Sequence, residues 1–281
     1  MTTPPNWPHF LAAPAEEVAR IAPATAVFSA GGTRRAAALA GISAQSDAYV
    51  HWAREQNRDT FELLFQHGVR HVLAAAITQN QLQETTPIYR ERLLQWTAWG
   101  MSGREALADY ARLGWKVRLL GTEDVPELQA CAAELEANTA AHSDHTVWWF
   151  VSPTPESHWQ QLLQAAHRTH ATTRADLLMA LYGEAIPPAT LFIGYGKPLL
   201  MPELVPPLLM GSPMHCYWLQ RPGYLTDPTT LREILYDFAY LRDTWQADKT
   251  ERAASALAQP ALWQHTTLGL GERVGAFWVP K

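Results

Sequence analysis

The sequence predicts an α/β fold with a mainly parallel sheet, and three observations support this prediction. Short apolar runs typical of buried strands alternate with longer segments of helical periodicity along the chain. The 281 residues, 47% of them hydrophobic, are enough to bury one sizeable core. No repeat or low-complexity linker divides the sequence. We therefore expect one domain spanning 1–281, with residues 1–23 as an N-terminal extension.

The first strand is predicted at 24–28 and is followed by Gly31-Gly32. A helical pattern then runs from about Asp47 and stops at Gly68, after which 69–76 reads as the second strand. Four further strands are predicted at 115–120, 146–151, 190–193 and 215–219. Helices are predicted at 87–99, 102–113, 125–141, 156–170, 174–181 and 228–245. Six strands flanked by helices follow from this pattern.

Local sequence signals mark two helix starts and one long loop. Ser102 with Glu105 forms a capping-box pattern, and Asp227 before Pro228 is typical of an N-cap followed by proline in the first turn. The segment 198–213 is rich in proline and is predicted as a loop on the rim of a pocket.

Charge and composition exclude several classes of function. The formal net charge of −5 gives no general basic field, so we expect no nucleic-acid partner. The N-terminal residues lack the basic start and apolar run of a secretory signal, and no apolar run approaches the ~18 residues of a membrane span. We expect a cytoplasmic protein without a transmembrane segment.

A candidate phosphate site follows the first strand, in the segment Gly31-Gly32-Thr33-Arg34-Arg35. Glycines let backbone N–H groups approach a phosphate closely, and two arginines add charge-assisted contacts. The segment matches neither a P-loop nor the dinucleotide fingerprint. The alternative is that the arginines form a solvated pair after an ordinary turn.

Four segments together resemble a known family. They are AVFSAGGTRR at 26–35, the long helical segment beginning SDAYVHWAREQNRD at 46, LFIGYGK at 191–197, and LTDPTTLREILYDFAYLR at 225–242. Their order is similar to that of the tuberculosinol synthase-like diterpene synthases, which have the cis-prenyltransferase fold. Within this family, the residues most resemble those of bacterial enzymes that act on a bicyclic clerodane-type diphosphate.

The resemblance implies ionisation of a bicyclic C20 allylic diphosphate, such as kolavenyl or tuberculosinyl diphosphate, and capture of the cation by water. Arg34 and Arg35 match the family's diphosphate-binding arginines, and Tyr49 matches a tyrosine implicated in water attack. Trp278 stands where the family has a C-terminal aromatic residue near the pocket. We expect Gly31, Gly32, Thr33 and Trp278 to contribute to substrate binding. The fold family also implies a homodimer.

Two departures from the family pattern concern metal binding. Gly31 replaces the family's aspartate before GTRR, and Thr78-Gln79-Asn80-Gln81 replaces its acidic pair. We therefore expect no metal ligands from the protein, Mg²⁺ carried by the substrate diphosphate, and no elongation of prenyl chains. Two alternatives remain open. One is a transferase that delivers the cation to a nucleophile other than water, and the other is a non-catalytic subunit that binds prenyl diphosphate.

Overall fold

The computed structural model describes residues 5–83, 87–242, 244, 250, 252–263 and 267–281. Six strands form one sheet in which every neighbouring pair is parallel, as the sequence predicted. The strands are β1 (Thr25–Phe28), β2 (His71–Thr78), β3 (Lys116–Leu120), β4 (Thr146–Ser152), β5 (Ala189–Tyr195) and β6 (Met210–Leu219). Their order across the sheet is β3-β4-β2-β1-β5-β6.

Twelve α-helices are present in the described part of the chain. They are α1 (Trp7–Ala12), α2 (Ala15–Ala19), α3 (Thr33–Leu39), α4 (Asp47–Gln66), α5 (Gln79–Leu82), α6 (Pro87–Ser102), α7 (Arg104–Leu113), α8 (Gln129–Asn138), α9 (Ser157–Thr169), α10 (Arg174–Tyr182), α11 (Pro228–Tyr236) and α12 (Arg252–Ala258). A separate antiparallel hairpin of β7 (Gly271–Val274) and β8 (Phe277–Pro280) follows. The sequence analysis missed this hairpin. None of the described helices is both long and apolar enough to cross a membrane.

Both faces of the sheet are buried, because side chains alternate along each strand. Phe28 and Trp149 belong to one hydrophobic cluster, which α4, α6, α8 and α11 cover. Val27 and Trp148 belong to the other, with residues from α10 and the segment before β6. The two adjacent tryptophans of β4, Trp148 and Trp149, therefore pack on opposite faces of the sheet.

Two predicted termini differ in the structure. Ser102 ends α6, and its hydroxyl donates to the carbonyl of Ala98 at 3.1 Å, so it does not cap α7. Gly103 precedes α7 instead and makes no side-chain cap. The predicted loop 198–213 is also too long, because β6 already begins at Met210. Before that, the loop forms short 3₁₀ turns at Pro202–Leu204 and Pro207–Leu209.

The N-terminal extension is docked on α11. Arg232 donates through Nη1 to the carbonyls of Leu11 and Ala13 at 2.6 and 2.7 Å, and Tyr236 donates to the carbonyl of Pro5 at 2.9 Å. Phe10 is buried beneath these contacts. These hydrogen bonds tie the N-terminal extension to α11.

The helix predicted at 228–245 is α11 followed by a π-helical turn at Asp237–Leu241, and residues 243 and 245 lie outside the described residues. Its apolar face packs into the core, where Leu231 and Leu235 are fully buried. Leu231 and Leu235 are therefore not available for contact with a second subunit.

Asp227 caps α11 as the sequence predicted: its Oδ1 accepts from the Thr230 N–H at 2.8 Å. Asp227→Ala removes this cap, so we expect the free energy of unfolding to fall by about 1 kcal/mol. Glu233→Ala, at an exposed position of the same helix, is the control and should change stability by less than about 0.5 kcal/mol. Chemical denaturation measures both. Equal losses in the two variants would contradict the capping role.

Candidate active site

The candidate site lies where β1 ends in the middle of the sheet. From β1 the chain builds β2, β3 and β4 on one side and later returns to place β5 on the other. The connections on the two sides of β1 diverge, which leaves a crevice at its carboxyl end, the usual ligand position in open α/β sheets. Residues 29–35 occupy this position directly after β1.

The Gly31-Gly32 turn packs against two neighbouring groups. A Cβ at Gly31 would lie 3.7 Å from the ring of Tyr195 on β5, in ordinary contact. Gly32 has φ +67°, and a Cβ there would approach the Arg35 guanidinium to 3.0 Å. A side chain at this position would thus strain the backbone and displace Arg35. Burial raises the pKa of Tyr195, whereas the Gly223 N–H and the charge of Arg35 oppose this rise.

The two arginines project to different partners at this crevice. Arg34 donates to the hydroxyl of Tyr89, and its guanidinium carbon lies 4.8 Å from the centre of that ring. The Arg35 guanidinium lies 5.3 Å from the ring centre of Phe277 in β8. Both cations are therefore held by aromatic rings at the same end of the sheet.

Thr33 and Tyr49 link this turn to α4. The Thr33 hydroxyl and the Tyr49 hydroxyl are hydrogen-bonded at 2.8 Å, with 16 residues between them in the sequence. Both residues line one cavity of about 200 Å³. The structure therefore brings Tyr49 to the GTRR segment beside a cavity that Thr33 and Tyr49 both line.

The cavity runs between the sheet and the helices α4, α6 and α7. Tyr49, Ala53, Asn57 and Phe61 line it from α4 at intervals of four residues, so one helix face follows its length. Its other lining groups are mostly aromatic or apolar, and they include Val50, Leu93, Trp96, Met101, Tyr110, Trp115, Val147, Trp149 and Tyr224. The Trp96 and Tyr49 ring centres are 5.8 Å apart.

A register shift in the central sheet makes room for this cavity. The pairing of β2 with β4 is irregular between Ala75 and Ile77, which leaves Ala76 as an extra residue. Ala75 and Ala76 consequently both border the cavity, although neighbouring residues of a regular strand face opposite sides. Their small side chains leave the space open.

One wall of the cavity is charged. Arg54, whose side chain is only 10% exposed, donates to Asp109 at 2.5 Å, and Arg58 donates to the same carboxylate at 3.2 Å. Burial by itself would raise the pKa of Asp109, but hydrogen bonds from Arg54, Arg112 and Arg58 outweigh it and hold the pKa below its ordinary value. This carboxylate is therefore ionised at neutral pH.

The residues that the structure describes do not form a magnesium site of their own. Gly31 offers no carboxylate, and at the end of β2 the Gln81 side-chain oxygen accepts from the Thr78 N–H at 2.8 Å. Asn80 donates weakly to the sulfur of Met201. No group of three or more His, Cys, Asp or Glu residues that could hold a metal ion occurs among the described residues. A resident Mg²⁺ held by the protein does not fit this arrangement.

Trp278 lies apart from the cavity lining. Its ring covers Gly271 of the paired strand, and its carbonyl accepts from the Gln220 amide at 3.2 Å. The neighbouring Phe277, not Trp278, reaches the Arg35 guanidinium. The C-terminal hairpin therefore meets the arginine end of the site through Phe277.

Several residues at the site were not identified by the sequence analysis. Asn57 continues the interval of four from Tyr49 through Ala53, and this spacing on a predicted helix is a signal that could have identified it. Tyr89, Trp96 and Tyr224 come from distant segments, and no local pattern brings them to the site.

No protein-family model matches the chain. Solved structures that share its fold include the following two. The chain superposes with a TM-score of 0.60 on lavandulyl diphosphate synthase from Lavandula x intermedia, at 11% identity, covering 78% of this chain and 96% of that one. It superposes with a TM-score of 0.57 on a probable undecaprenyl diphosphate synthase from Campylobacter jejuni, at 11% identity, covering 79% and 97%. The predicted cis-prenyltransferase fold is confirmed.

Two curated proteins are similar in sequence. The chain is 45% identical to the (+)-kolavelool synthase of Herpetosiphon aurantiacus over 282 aligned positions, which cover 100% of this chain and 97% of the relative. It is 29% identical to the tuberculosinyl adenosine transferase of Mycobacterium tuberculosis, covering 83% of this chain and 82% of the relative. The chain therefore belongs to the diterpene synthase family that includes these two enzymes.

Proposed function

We propose that this diterpene synthase ionises a bicyclic C20 allylic diphosphate, such as kolavenyl diphosphate, and adds water to the cation to release a kolavelool-type alcohol. The observation that carries the proposal is the hydrogen bond between Thr33 and Tyr49, which both line a largely aromatic and apolar cavity. This hydrogen bond connects the GTRR segment, which binds the leaving diphosphate, to Tyr49, which orients the attacking water. The 45% identity to a kolavelool synthase over the whole chain supports this choice of product.

The first step breaks the carbon–oxygen bond, and its electron pair leaves with the diphosphate. Arg34 and Arg35 stabilise the charge that develops on the departing oxygens. Their ring partners, Tyr89 and Phe277, hold the guanidinium groups at the carboxyl end of the sheet. Fixed donors of this kind need little reorganisation during the reaction.

The cavity protects and stabilises the cation. The rings of Tyr49 and Trp96 line it, and an aromatic face attracts positive charge. The remaining aromatic and aliphatic lining accepts the hydrocarbon rings and excludes bulk water. Premature addition of solvent is thereby limited.

Tyr49 controls the water that ends the reaction. The lone pair of the water forms the new carbon–oxygen bond, and the surplus proton must leave that oxygen. A phenol alone is a weak base, but the Tyr49 hydroxyl can pass the proton on to an oxygen of the released diphosphate. Thr33 orients the Tyr49 hydroxyl through its 2.8 Å hydrogen bond.

We further propose that any Mg²⁺ arrives bound to the substrate diphosphate. Neither Gly31 nor Asn80 supplies the carboxylate that the family pattern has at these positions. For the same reason we expect no condensation with isopentenyl diphosphate.

The homodimer, the single domain and the cytoplasmic location predicted from the sequence stay predictions. Transfer of the cation to another nucleophile is less favoured, because the match to the adenosine transferase is weaker and shorter.

Replacing Arg34 or Arg35 by alanine should lower turnover. Each variant loses charge-assisted contacts between one guanidinium group and the diphosphate. These contacts stabilise the transition state by roughly 1.5–3 kcal/mol, so we expect kcat/KM to decrease about tenfold or more. Arg104→Ala, an exposed arginine at the start of α7, is the control and should keep the parental value. Steady-state kinetics measures kcat/KM for the parent and all three variants. Parental kinetics in both site variants would place diphosphate binding elsewhere.

Tyr49→Phe keeps the ring and removes only the hydroxyl. If the hydroxyl moves the proton, the rate should fall by about 10²-fold, or olefin should replace alcohol among the products. Thr33→Val removes the partner of the same hydrogen bond and should cause a smaller change in the same direction. Product analysis by mass spectrometry measures both effects. The same alcohol at the parental rate from Tyr49→Phe would refute the role.

Gly31→Asp tests the source of the metal. An aspartate fits sterically, since the contact of its Cβ with Tyr195 would be ordinary, and its charge would repel a diphosphate that lacks its cation. We expect Gly31→Asp to be slower than the parent at limiting Mg²⁺ and to recover as Mg²⁺ rises. Gly31→Asn has the same shape without the charge and should show no such added dependence. Identical Mg²⁺ curves for both variants would contradict the proposal.

A further inference from the structure

Tyr195, the last residue of β5, contacts two separate turns at the carboxyl end of the sheet. A Cβ at Gly31 would lie 3.7–3.8 Å from three atoms of the Tyr195 ring, so this ring packs directly against the Gly31-Gly32 turn. The Tyr195 hydroxyl accepts a hydrogen bond from the Gly223 N–H at 2.7 Å. Gly223 begins the 3₁₀ turn Gly223–Leu225, which lies between β6 and α11. The ring and the hydroxyl of one side chain therefore have different partners.

The contact between Tyr195 and the 223–225 turn is close. A Cβ at Gly223 would approach the Tyr195 hydroxyl to 3.1 Å and the ring of Phe28 to 3.3 Å. Phe28 belongs to the fully buried strand β1, where dense packing leaves it little room to withdraw. The absence of a side chain at Gly223 thus allows the backbone of this turn to reach the Tyr195 hydroxyl.

The 223–225 turn carries part of the cavity wall. Tyr224 follows Gly223 directly, lines the cavity and is hydrogen-bonded with the Asn57 side chain. The Tyr224 ring meets the Trp52 ring edge to face, with the ring centres 5.7 Å apart. Because Gly223 and Tyr224 are consecutive, the hydrogen bond from the Gly223 N–H to Tyr195 fixes the backbone that precedes this wall residue.

The ring of Tyr195 lies on the side of the candidate diphosphate site. Gly196, the next residue, borders the same site, since a Cβ there would lie 4.0 Å from Nη2 of Arg35. Burial raises the pKa of Tyr195, so its phenol is neutral at physiological pH and adds no negative charge beside a diphosphate. The end of β5 therefore supports the arginine segment without repelling an anion bound to it.

We infer that Tyr195 is a positioning residue whose ring supports the diphosphate-binding turn and whose hydroxyl holds the cavity wall at Tyr224. This inference rests on the proposed function, which places the diphosphate at the GTRR segment and the hydrocarbon in the cavity. Side chains that bind or react are held in place by such packing and hydrogen bonds behind them. Tyr195 thereby fixes the spacing between the diphosphate and the wall that contacts the hydrocarbon.

Two probes separate the role of the ring from that of the hydroxyl. Inorganic diphosphate with Mg²⁺ tests the GTRR segment alone, whereas the thiolodiphosphate of a bicyclic C20 allylic alcohol resists ionisation and also fills the cavity. Calorimetry gives the Kd of each probe for the parent, Tyr195→Phe and Tyr195→Leu. Tyr217→Phe is the matched control, because it removes a phenol hydroxyl that donates to Asp237 at 2.6 Å and does not line this cavity.

The two variants of Tyr195 should affect the probes differently. Tyr195→Phe keeps the ring, so we expect the parental Kd for inorganic diphosphate and a Kd about fivefold weaker for the thiolodiphosphate. Tyr195→Leu also removes the ring and should weaken the binding of both probes about fivefold or more. Tyr217→Phe should bind both probes as the parent does. A general loss of stability would not distinguish the two probes in this way.

Parental Kd values for both probes in Tyr195→Phe, or equal weakening of both, would overturn the inference, because the hydroxyl would then not act through the cavity wall. A parental Kd for inorganic diphosphate in Tyr195→Leu would overturn the role of the ring, provided that circular dichroism shows a folded variant. If Tyr195→Leu does not fold, the result for Tyr195→Phe still decides. If the parent binds neither probe, the proposed function fails and the inference fails with it.

Discussion

The burial of β1 between β2 and β5 is the constraint on which the site depends. This four-residue strand is fully buried, and it is the point from which the chain builds the two sides of the sheet in turn. The glycine turn that follows must therefore emerge in the crevice between diverging connections. Tyr195 arrives on β5 beside Gly31, and α4 carries Tyr49 back to Thr33. This geometry places the arginines and the tyrosine together at the carboxyl end of β1.

The order of the elements could be predicted because their signals are local. Apolar runs gave all six strands of the sheet, and Asp227 before Pro228 gave a correct cap. The predictions failed where tertiary contacts or competing hydrogen bonds determine the local structure. The Ser102 hydroxyl donates to the Ala98 carbonyl in its own helix instead of capping the next helix. A sequence pattern does not show which of these two hydrogen bonds forms. The hairpin of β7 and β8 lacks a buried face of its own and so gave no clear alternation.

The candidate site could be predicted only in part, for the same reason. The GTRR segment and Tyr49 lie in continuous stretches with recognisable chemistry, whereas Trp96 and Tyr224 meet them only after folding. The room for the hydrocarbon depends on the irregular pairing of β2 with β4 at Ala76. Strand register is not visible in a sequence at this detail. The charged wall around Asp109 likewise needs α4 and α7 to be packed together before its arginines share one carboxylate.

Reaction of the purified protein with kolavenyl diphosphate in H₂¹⁸O tests the central claim most directly. If the carbon–oxygen bond breaks and water captures the cation, the product is a diterpene alcohol that contains ¹⁸O, accompanied by unlabelled diphosphate. Hydrolysis at phosphorus instead gives an alcohol that keeps its original oxygen and places the label in the phosphate. An unlabelled alcohol, or no alcohol at all, would contradict the account.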